Sequence, residues 1–388
     1  MQVSGREPLE TIFMKRTLRN VFFVLTVFVI SRACVVIGIF LGRKFLSFPA
    51  DLSNKVLEKT WWESLARWDA GYYIDIVLNG YHYLPDGKTH NIAFFPLYPL
   101  LIRIVDDITK LSPLMSGIII SNACFLVALL LLHRYTEKYH PDSNPDLTAM
   151  LMAFFPFGVF FSSVYTESLF LCLCLFSFFM FREGKTMLSA IGLFLMTATR
   201  LAGLFVVPAL GLSYLFTRVI PFPKKKSPLK GRELLNLVVW GLVAISGFVC
   251  FAAYQQISFG HWDAFIRVQI AWKDRVGNFS SLLSEMHPDL YNVMNIVPAG
   301  ILLGASILFL FLKNYRIYSV WGLLAVLIPL STGTFMSMGR YSMVFFPLAI
   351  YGGCLLKKTA ILRDIALMTS SSLLVVLSTL FAKYYFIG

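Results

Sequence analysis

Apolar runs separated by short polar breaks recur along the whole chain, at 20–42, 114–132, 147–163, 167–182, 187–199, 201–217, 234–257, 290–312, 317–334, 341–356 and 365–386. A helix needs about 20 predominantly apolar residues to cross a hydrocarbon core ~30 Å thick. Most of these runs approach that length. The pattern predicts an all-α, polytopic membrane protein with about eleven transmembrane helices and a single membrane domain over 1–388. The 187–199 run is short for a full crossing, so a tilted, broken or re-entrant helix pair is expected there, its backbone covered by protein. The first run follows Lys15, Arg16 and Arg19, is too long for a signal-peptide core and is expected to remain as helix one.

Composition agrees with the pattern: 57% of the 388 residues are hydrophobic and 14% are charged, outside the balance of a soluble globular chain. The net charge of +13 does not point to nucleic acid, because the basic residues gather in short loops, as the positive-inside rule expects. The 218–233 loop carries Arg218, Lys224, Lys225, Lys226, Lys230 and Arg232 and is assigned to the cytoplasm. By alternation the amino terminus, the 133–146 loop, Arg182 to Lys185, Lys313 to Arg316 and Lys357 to Arg363 join it. The opposite, extracytoplasmic face receives a long first loop at 43–113, the Tyr165-Thr166-Glu167 turn, the Thr199-Arg200 break, a second loop at 258–289 and the turn at Met338 to Tyr341. No cytoplasmic segment is long enough for a nucleotide-binding domain, and no glycine-rich phosphate loop is present. Cys34, Cys124, Cys172, Cys174, Cys250 and Cys354 all fall inside apolar runs without the spacing of a zinc site.

Candidate chemistry concentrates on the extracytoplasmic face. The first loop contains Trp61-Trp62-Glu63-Ser64-Leu65-Ala66-Arg67-Trp68-Asp69-Ala70-Gly71-Tyr72-Tyr73. Such aromatic crowding suits a helix lying on the bilayer surface. It equally suits the wall of a sugar subsite, with Asp69 as a general base beside it. A third reading makes Asp69 the cap of a helix starting at Ala70. Arg32 lies inside the first span, where an unpaired cation is costly, and Glu167 is the expected partner. His261 and Asp263 stand at i and i+2, which do not face together on a helix, and no third ligand is obvious. No cofactor is predicted, with a divalent metal there as the alternative. Asp106-Asp107 is expected to be a solvated loop.

Taken in order, Arg67 to Tyr73, Gly80-Tyr81, Ala93-Phe94-Phe95-Pro96-Leu97-Tyr98-Pro99-Leu100, Phe160 to Phe170, Ala198-Thr199-Arg200 with Gly203, Gly339-Arg340-Tyr341 and Phe346-Pro347 resemble the PIG-V type GPI mannosyltransferase family and its prokaryotic relatives. The resemblance implies a GT-C-like membrane fold, a dolichyl- or other polyprenyl-phosphate sugar donor, a lipid or glycan acceptor, and an acidic base in the first outer loop, which falls on Asp69. Transfer with inversion is expected, mannose being implied by the resemblance. A leaving phosphate calls for positive charge, which Arg200, Arg340 and Lys273 supply. Arg67, Trp68, Tyr72, Tyr73, Glu167 and Trp272 are the expected substrate contacts. An arginine at a helix end also suits headgroup phosphates, so snorkelling stays open for Arg200 and Arg340. The rival classes are a secondary transporter or lipid-linked-sugar flippase, for which no internal repeat is evident, and a non-catalytic membrane scaffold. A prokaryotic plasma membrane is favoured over the endoplasmic reticulum, with membrane lipids but no nucleic acid as partners.

Overall fold

The computed structural model describes residues 9–50, 59–218, 231–271, 281–284 and 289–388. The regular structure among them is helical, and no strand occurs among them. In chain order the helices are α1 (Leu9–Phe45), α2 (Ala70–Asn79), α3 (Leu97–Thr109), α4 (Pro113–Tyr139), α5 (Pro145–Ala153), α6 (Glu167–Arg182), α7 (Thr186–Thr197), α8 (Val206–Arg218), α9 (Gly231–Phe259), α10 (Ala264–Arg267), α11 (Ser281–Ser284), α12 (Leu290–Phe311), α13 (Arg316–Leu330), α14 (Met338–Met343), α15 (Pro347–Leu356) and α16 (Ala360–Ala382). Among the described residues five segments are long and apolar enough to cross a membrane: Met14–Phe45, Pro113–Tyr139, Gly231–Phe259, Tyr291–Phe311 and Ala360–Ala382.

Several predicted runs form shorter or broken helices. The 147–163 run divides into α5 and a 3-10 turn at Gly158–Phe161 around Pro156, and the 341–356 run divides into α14 and α15 at Pro347. Pro347 opens α15 at its first turn, where a missing N–H costs nothing. The 201–217 run opens as a 3-10 helix, Leu201–Phe205, before α8. The Asp106-Asp107 pair is not in a loop; it lies near the end of the amphipathic α3. Ser112 and Asn144, each followed by proline, cap α4 and α5 by accepting from Met115 N at 3.4 Å and Leu147 N at 3.0 Å.

Helix pairs approach closely where small residues face a neighbour, since lipid supplies no hydrophobic drive between helices. Gly38 and Gly42 of α1, four residues apart, lie against Val375, Ser378 and Thr379 of α16. Gly247 of α9 abuts Phe194 and Thr197 of α7, and Gly322 of α13 meets Ser306 of α12. Any side chain at these glycines would collide with its neighbour.

Charged residues from different helices meet in two separate groups. At one end Arg16 of α1 pairs with Glu137 of α4 at 2.6 Å, Lys138 pairs with Glu183 after α6, and His133 meets Asp146 of α5 at 2.8 Å. The other end carries Asp69, Glu167, Arg200 and Arg340.

Arg32 does not pair with Glu167. Its guanidinium donates to Gly158 O at 2.8 Å, Ser162 Oγ at 3.0 Å and Ala153 O at 3.1 Å, and stacks 4.6 Å over Phe125. The break between α5 and α6 frees carbonyls that have no intrahelical donor, and Arg32 satisfies them in place of a carboxylate. Arg32→Met removes the donors but leaves the acceptors, each worth ~1–3 kcal/mol when buried unpaired. A thermal melt in detergent is expected to fall clearly below wild type; an unchanged midpoint would contradict this role.

Candidate active site

The end that carries Asp69, Glu167, Arg200 and Arg340 is assembled from breaks in helical structure. The first lies between the 3-10 helix Trp61–Leu65 and α2. Val164 N donates to Leu65 O at 3.1 Å, Asp69 N donates to Tyr165 Oη at 3.2 Å, and that hydroxyl donates to Arg67 O at 2.9 Å. Three bonds thus fasten the stretch before Asp69 to the turn before α6. Asp69 occupies the N-cap position of α2, yet its side chain makes no capping bond. Instead its Oδ2 accepts from Arg340 Nη1 at 2.8 Å.

Glu167, in the first turn of α6 where the helix dipole favours an anion, is 1% exposed and bridges two arginines. Its Oε1 accepts from Arg200 Nη1 at 3.0 Å and lies 3.3 Å from Arg340 Nε, a contact without hydrogen-bond geometry. Arg200, Glu167, Arg340 and Asp69 therefore form one chain of alternating charge. The side chains of Arg200 and Arg340 are 16% and 8% exposed, and that of Asp69 is 28% exposed. Tyr341 lies between the two guanidinium groups, 5.3 Å from that of Arg200 and 5.4 Å from that of Arg340. Among the described residues Glu167 Oε2 is buried without a hydrogen-bond partner, and no bond reaches Asp69 Oδ1.

All four charged residues line one cavity of about 520 Å³, within the ~300–1,000 Å³ usual for small-ligand sites. Aromatic residues Tyr73, Phe94 and Phe265 and the polar Gln269 face it on one side; Leu201, Phe205, Trp321 and Ile328 form an apolar flank between the 3-10 helix Leu201–Phe205 and α13. Phe265 is carried there by a small apolar cluster that packs Ile92, Phe95, Phe251, Ala264, Phe265 and Val268 together.

Of the predicted site residues, Asp69, Tyr73, Glu167, Arg200 and Arg340 come together on this cavity. Arg67 is buried and donates to Ala382 O at 2.8 Å and Ser64 Oγ at 3.2 Å. Trp68 packs edge-on against Tyr384, and Tyr72 stacks on Phe94 at 4.8 Å. Lys273 and Trp272 lie outside the described residues. Asp263 pairs with Arg267 at 2.8 Å, while the His261 ring sits 5.8 Å from that of Tyr83. The sequence offered no signal for Trp321 or Ile328, which sit within an ordinary apolar run. Tyr165 was visible as part of a motif, but nothing in its spacing announced that its hydroxyl bridges to the backbone of Asp69.

The fold and the charged cavity define a helical membrane protein with a buried polar site at one end of its bundle. The profile of the family described as Mannosyltransferase (PIG-V) matches residues 16–292, and the chain belongs to that family. Among curated proteins it is similar to GPI alpha-1,6-mannosyltransferase 2 of Cricetulus griseus, 30% identical over 156 residues, covering 37% of this chain and 30% of that one. It is also similar to GPI mannosyltransferase 2 of Drosophila pseudoobscura pseudoobscura, 29% identical over 116 residues, with 27% of this chain and 25% of that one covered. The matched segments thus span less than a third of either relative. Among solved structures, the Archaeoglobus fulgidus oligosaccharyltransferase in its apo form superposes with a TM-score of 0.48 at 14% identity, over 94% of this chain and 56% of that one.

Proposed function

We propose that the protein is a GT-C-type membrane glycosyltransferase that moves a sugar, mannose, from a polyprenyl-phosphate donor to a hydroxyl of a lipid or glycan acceptor. The observation that carries this reading is the Arg200–Glu167–Arg340–Asp69 chain on the cavity wall in a member of a mannosyltransferase family. In the proposed step an acceptor oxygen attacks the anomeric carbon while Asp69 takes its proton. The bond from the anomeric carbon to the phosphate oxygen breaks, and the phosphate leaves with the electron pair. Attack opposite the leaving group inverts the anomeric configuration.

The two arginines divide the electrostatic work. Arg340 is committed to Asp69 Oδ2 and orients the base. Arg200 spends only Nη1 on Glu167, so among the described residues its other N–H groups carry no bond and suit a phosphate. Arg340 Nε, which has no hydrogen bond, adds a second positive edge, and Lys273 is proposed as a third cation. Tyr73 and Glu167 are the proposed sugar contacts within the cavity, with Trp272 joining them from the second loop. The flank formed by Leu201, Phe205, Trp321 and Ile328 suits the first isoprene units of the donor. We place this end extracytoplasmic, in an eleven-crossing topology in a prokaryotic plasma membrane, because the opposite end gathers Lys15, Arg16, Arg134, Lys138 and Arg182.

The reading is tested by the stereochemistry and stoichiometry of the product. Protein in proteoliposomes, supplied with β-linked polyprenyl-phosphate mannose and a membrane lipid extract, is expected to release one polyprenyl phosphate per mannose transferred and to form an α-linked product. A β-linked product would remove the single-displacement role of Asp69. Passage of intact donor across the bilayer without transfer would identify a flippase.

A further inference from the structure

Asp69 is preceded by Trp68, a bulky residue held at φ 53°. A non-glycine side chain in this left-handed region costs roughly 1–3 kcal/mol and persists only where its surroundings over-determine it. The backbone on either side is held by hydrogen bonds, Asp69 N to Tyr165 Oη at 3.2 Å, Tyr165 Oη to Arg67 O at 2.9 Å and Ala70 N to Arg67 O at 3.2 Å, but the buried indole Nε1 has no partner among the described residues. Packing holds the ring. The Trp68 ring meets those of Tyr384 at 5.5 Å and Phe386 at 5.1 Å, both edge-on. Tyr384 is itself left-handed, at φ 60°. Next to Trp68, Arg67 donates to Ala382 O at 2.8 Å and lies 4.5 Å over the Tyr384 ring.

The same segment reaches the other half of the pair. Ile387 is buried, and a Cβ added at Gly388 would meet the Cβ of Arg340 at 3.2 Å. Residues 383–388 therefore touch Trp68, which precedes Asp69, and also Arg340, which bonds it. Phe386 packs further against Tyr291 at 5.7 Å, and the segment is launched by α16, which the close approach of Gly38 and Gly42 fixes against α1. These residues lie beyond the 16–292 match to the family.

We propose that residues 383–388 form a buttress that keeps Asp69 and Arg340 in register, with Phe386 as a positioning residue that touches neither substrate nor reacting atoms. The catalytic consequence rests on the function proposed above; the structural one does not. Removing the Phe386 ring takes away one of the two aromatic rings packed edge-on against the Trp68 indole, leaving the left-handed turn to its backbone hydrogen bonds and to Tyr384. Asp69 is then displaced from Arg340, and misplacement of about 1 Å at a reacting group costs on the order of 100-fold in rate.

The test uses the full chain in nanodiscs, comparing wild type with Phe386→Ala and Phe386→Tyr. For Phe386→Ala, kcat is expected to fall about 10–100-fold while KM for polyprenyl-phosphate mannose changes less, because Arg200 keeps its bond to Glu167 and the segment reaches Arg340 alone of the two arginines proposed to meet the phosphate. Phe386→Tyr is expected to restore kcat. An unchanged kcat in the folded Ala variant, or a loss that merely tracks a lowered melting temperature and a raised KM, would overturn the proposal. The activity-independent arm is a cryo-electron microscopy structure of Phe386→Ala with a bound antibody fragment. The buttress predicts that Trp68 leaves the left-handed region and the Asp69–Arg340 hydrogen bond is broken; an intact pair overturns it. A wild type that transfers no sugar would defeat the functional reading alone, and this second arm would still decide the structural one.

Discussion

Asp69→Asn is expected to lower turnover by about 100- to 10,000-fold, the usual worth of a positioned general base, while leaving donor affinity near that of wild type. The amide keeps the shape of the carboxylate, and its carbonyl still accepts from Arg340 Nη1, which Asp69 Oδ2 now does at 2.8 Å. What it loses is the ability to take a proton. Steady-state kinetics on the variant, paired with displacement of a bound fluorescent polyprenyl phosphate, separate the two effects. Turnover within about 10-fold of wild type would be too small a loss for a general base and would assign Asp69 to holding Arg340 instead.

The second large effect belongs to Glu167. At 1% exposure, beside side chains of Arg200 and Arg340 that are 16% and 8% exposed, it is the shared counter-ion of two guanidinium groups. Breaking a buried ion pair by removing one partner typically costs about 3–5 kcal/mol. Glu167→Ala is expected to lose stability on that scale in unfolding titrations in mixed micelles, whereas Glu167→Gln, which keeps an acceptor, loses less. Polyprenyl phosphate should then stabilise the Ala variant more than it does wild type, since its phosphate restores an anion between the arginines and a ligand stabilises whichever folded state binds it. Equal stability of wild type and Ala variant would show that the two arginines do not depend on Glu167.

How much of this was legible in the sequence depended on whether one local signal was enough. Long apolar runs gave α9 and α12 nearly at their observed limits, because length against bilayer thickness is a local property, whereas α4 runs on through polar residues to Tyr139 and α16 begins at Ala360 and ends at Ala382, both displaced from the expected 114–132 and 365–386. The breaks near Pro156 and Pro347 were absorbed into continuous spans, since hydropathy stays high across a proline. That omission carried a second error. The carbonyls freed at Ala153 and Gly158 are what satisfy Arg32, so without the break a carboxylate partner was expected instead.

The site was legible in the same uneven way. Glu167, Arg200 and Arg340 stood out as polar residues at the ends of apolar helices, Asp69 and Tyr73 as members of the aromatic stretch in the first loop, and the fold brings all five to one cavity. The order of their pairing was not legible, because it depends on how α6, α7 and α14 meet. Arg67 and Trp68 belong to the same motif as Asp69, yet they face Ala382, Tyr384 and Phe386. A motif marks a segment; only the fold sorts its members between cavity and support.

The central claim is that the charged cavity transfers a sugar from a lipid phosphate, and single-turnover transfer measures it most directly. Purified wild type and Asp69→Asn are mixed in lipid with radiolabelled polyprenyl-phosphate mannose and a membrane lipid extract, and label is followed from donor to product. Rapid conversion by wild type, with the same donor bound but unconverted by the folded variant, is the predicted result. Bound donor that wild type leaves intact would contradict the account, as would equal conversion by both proteins.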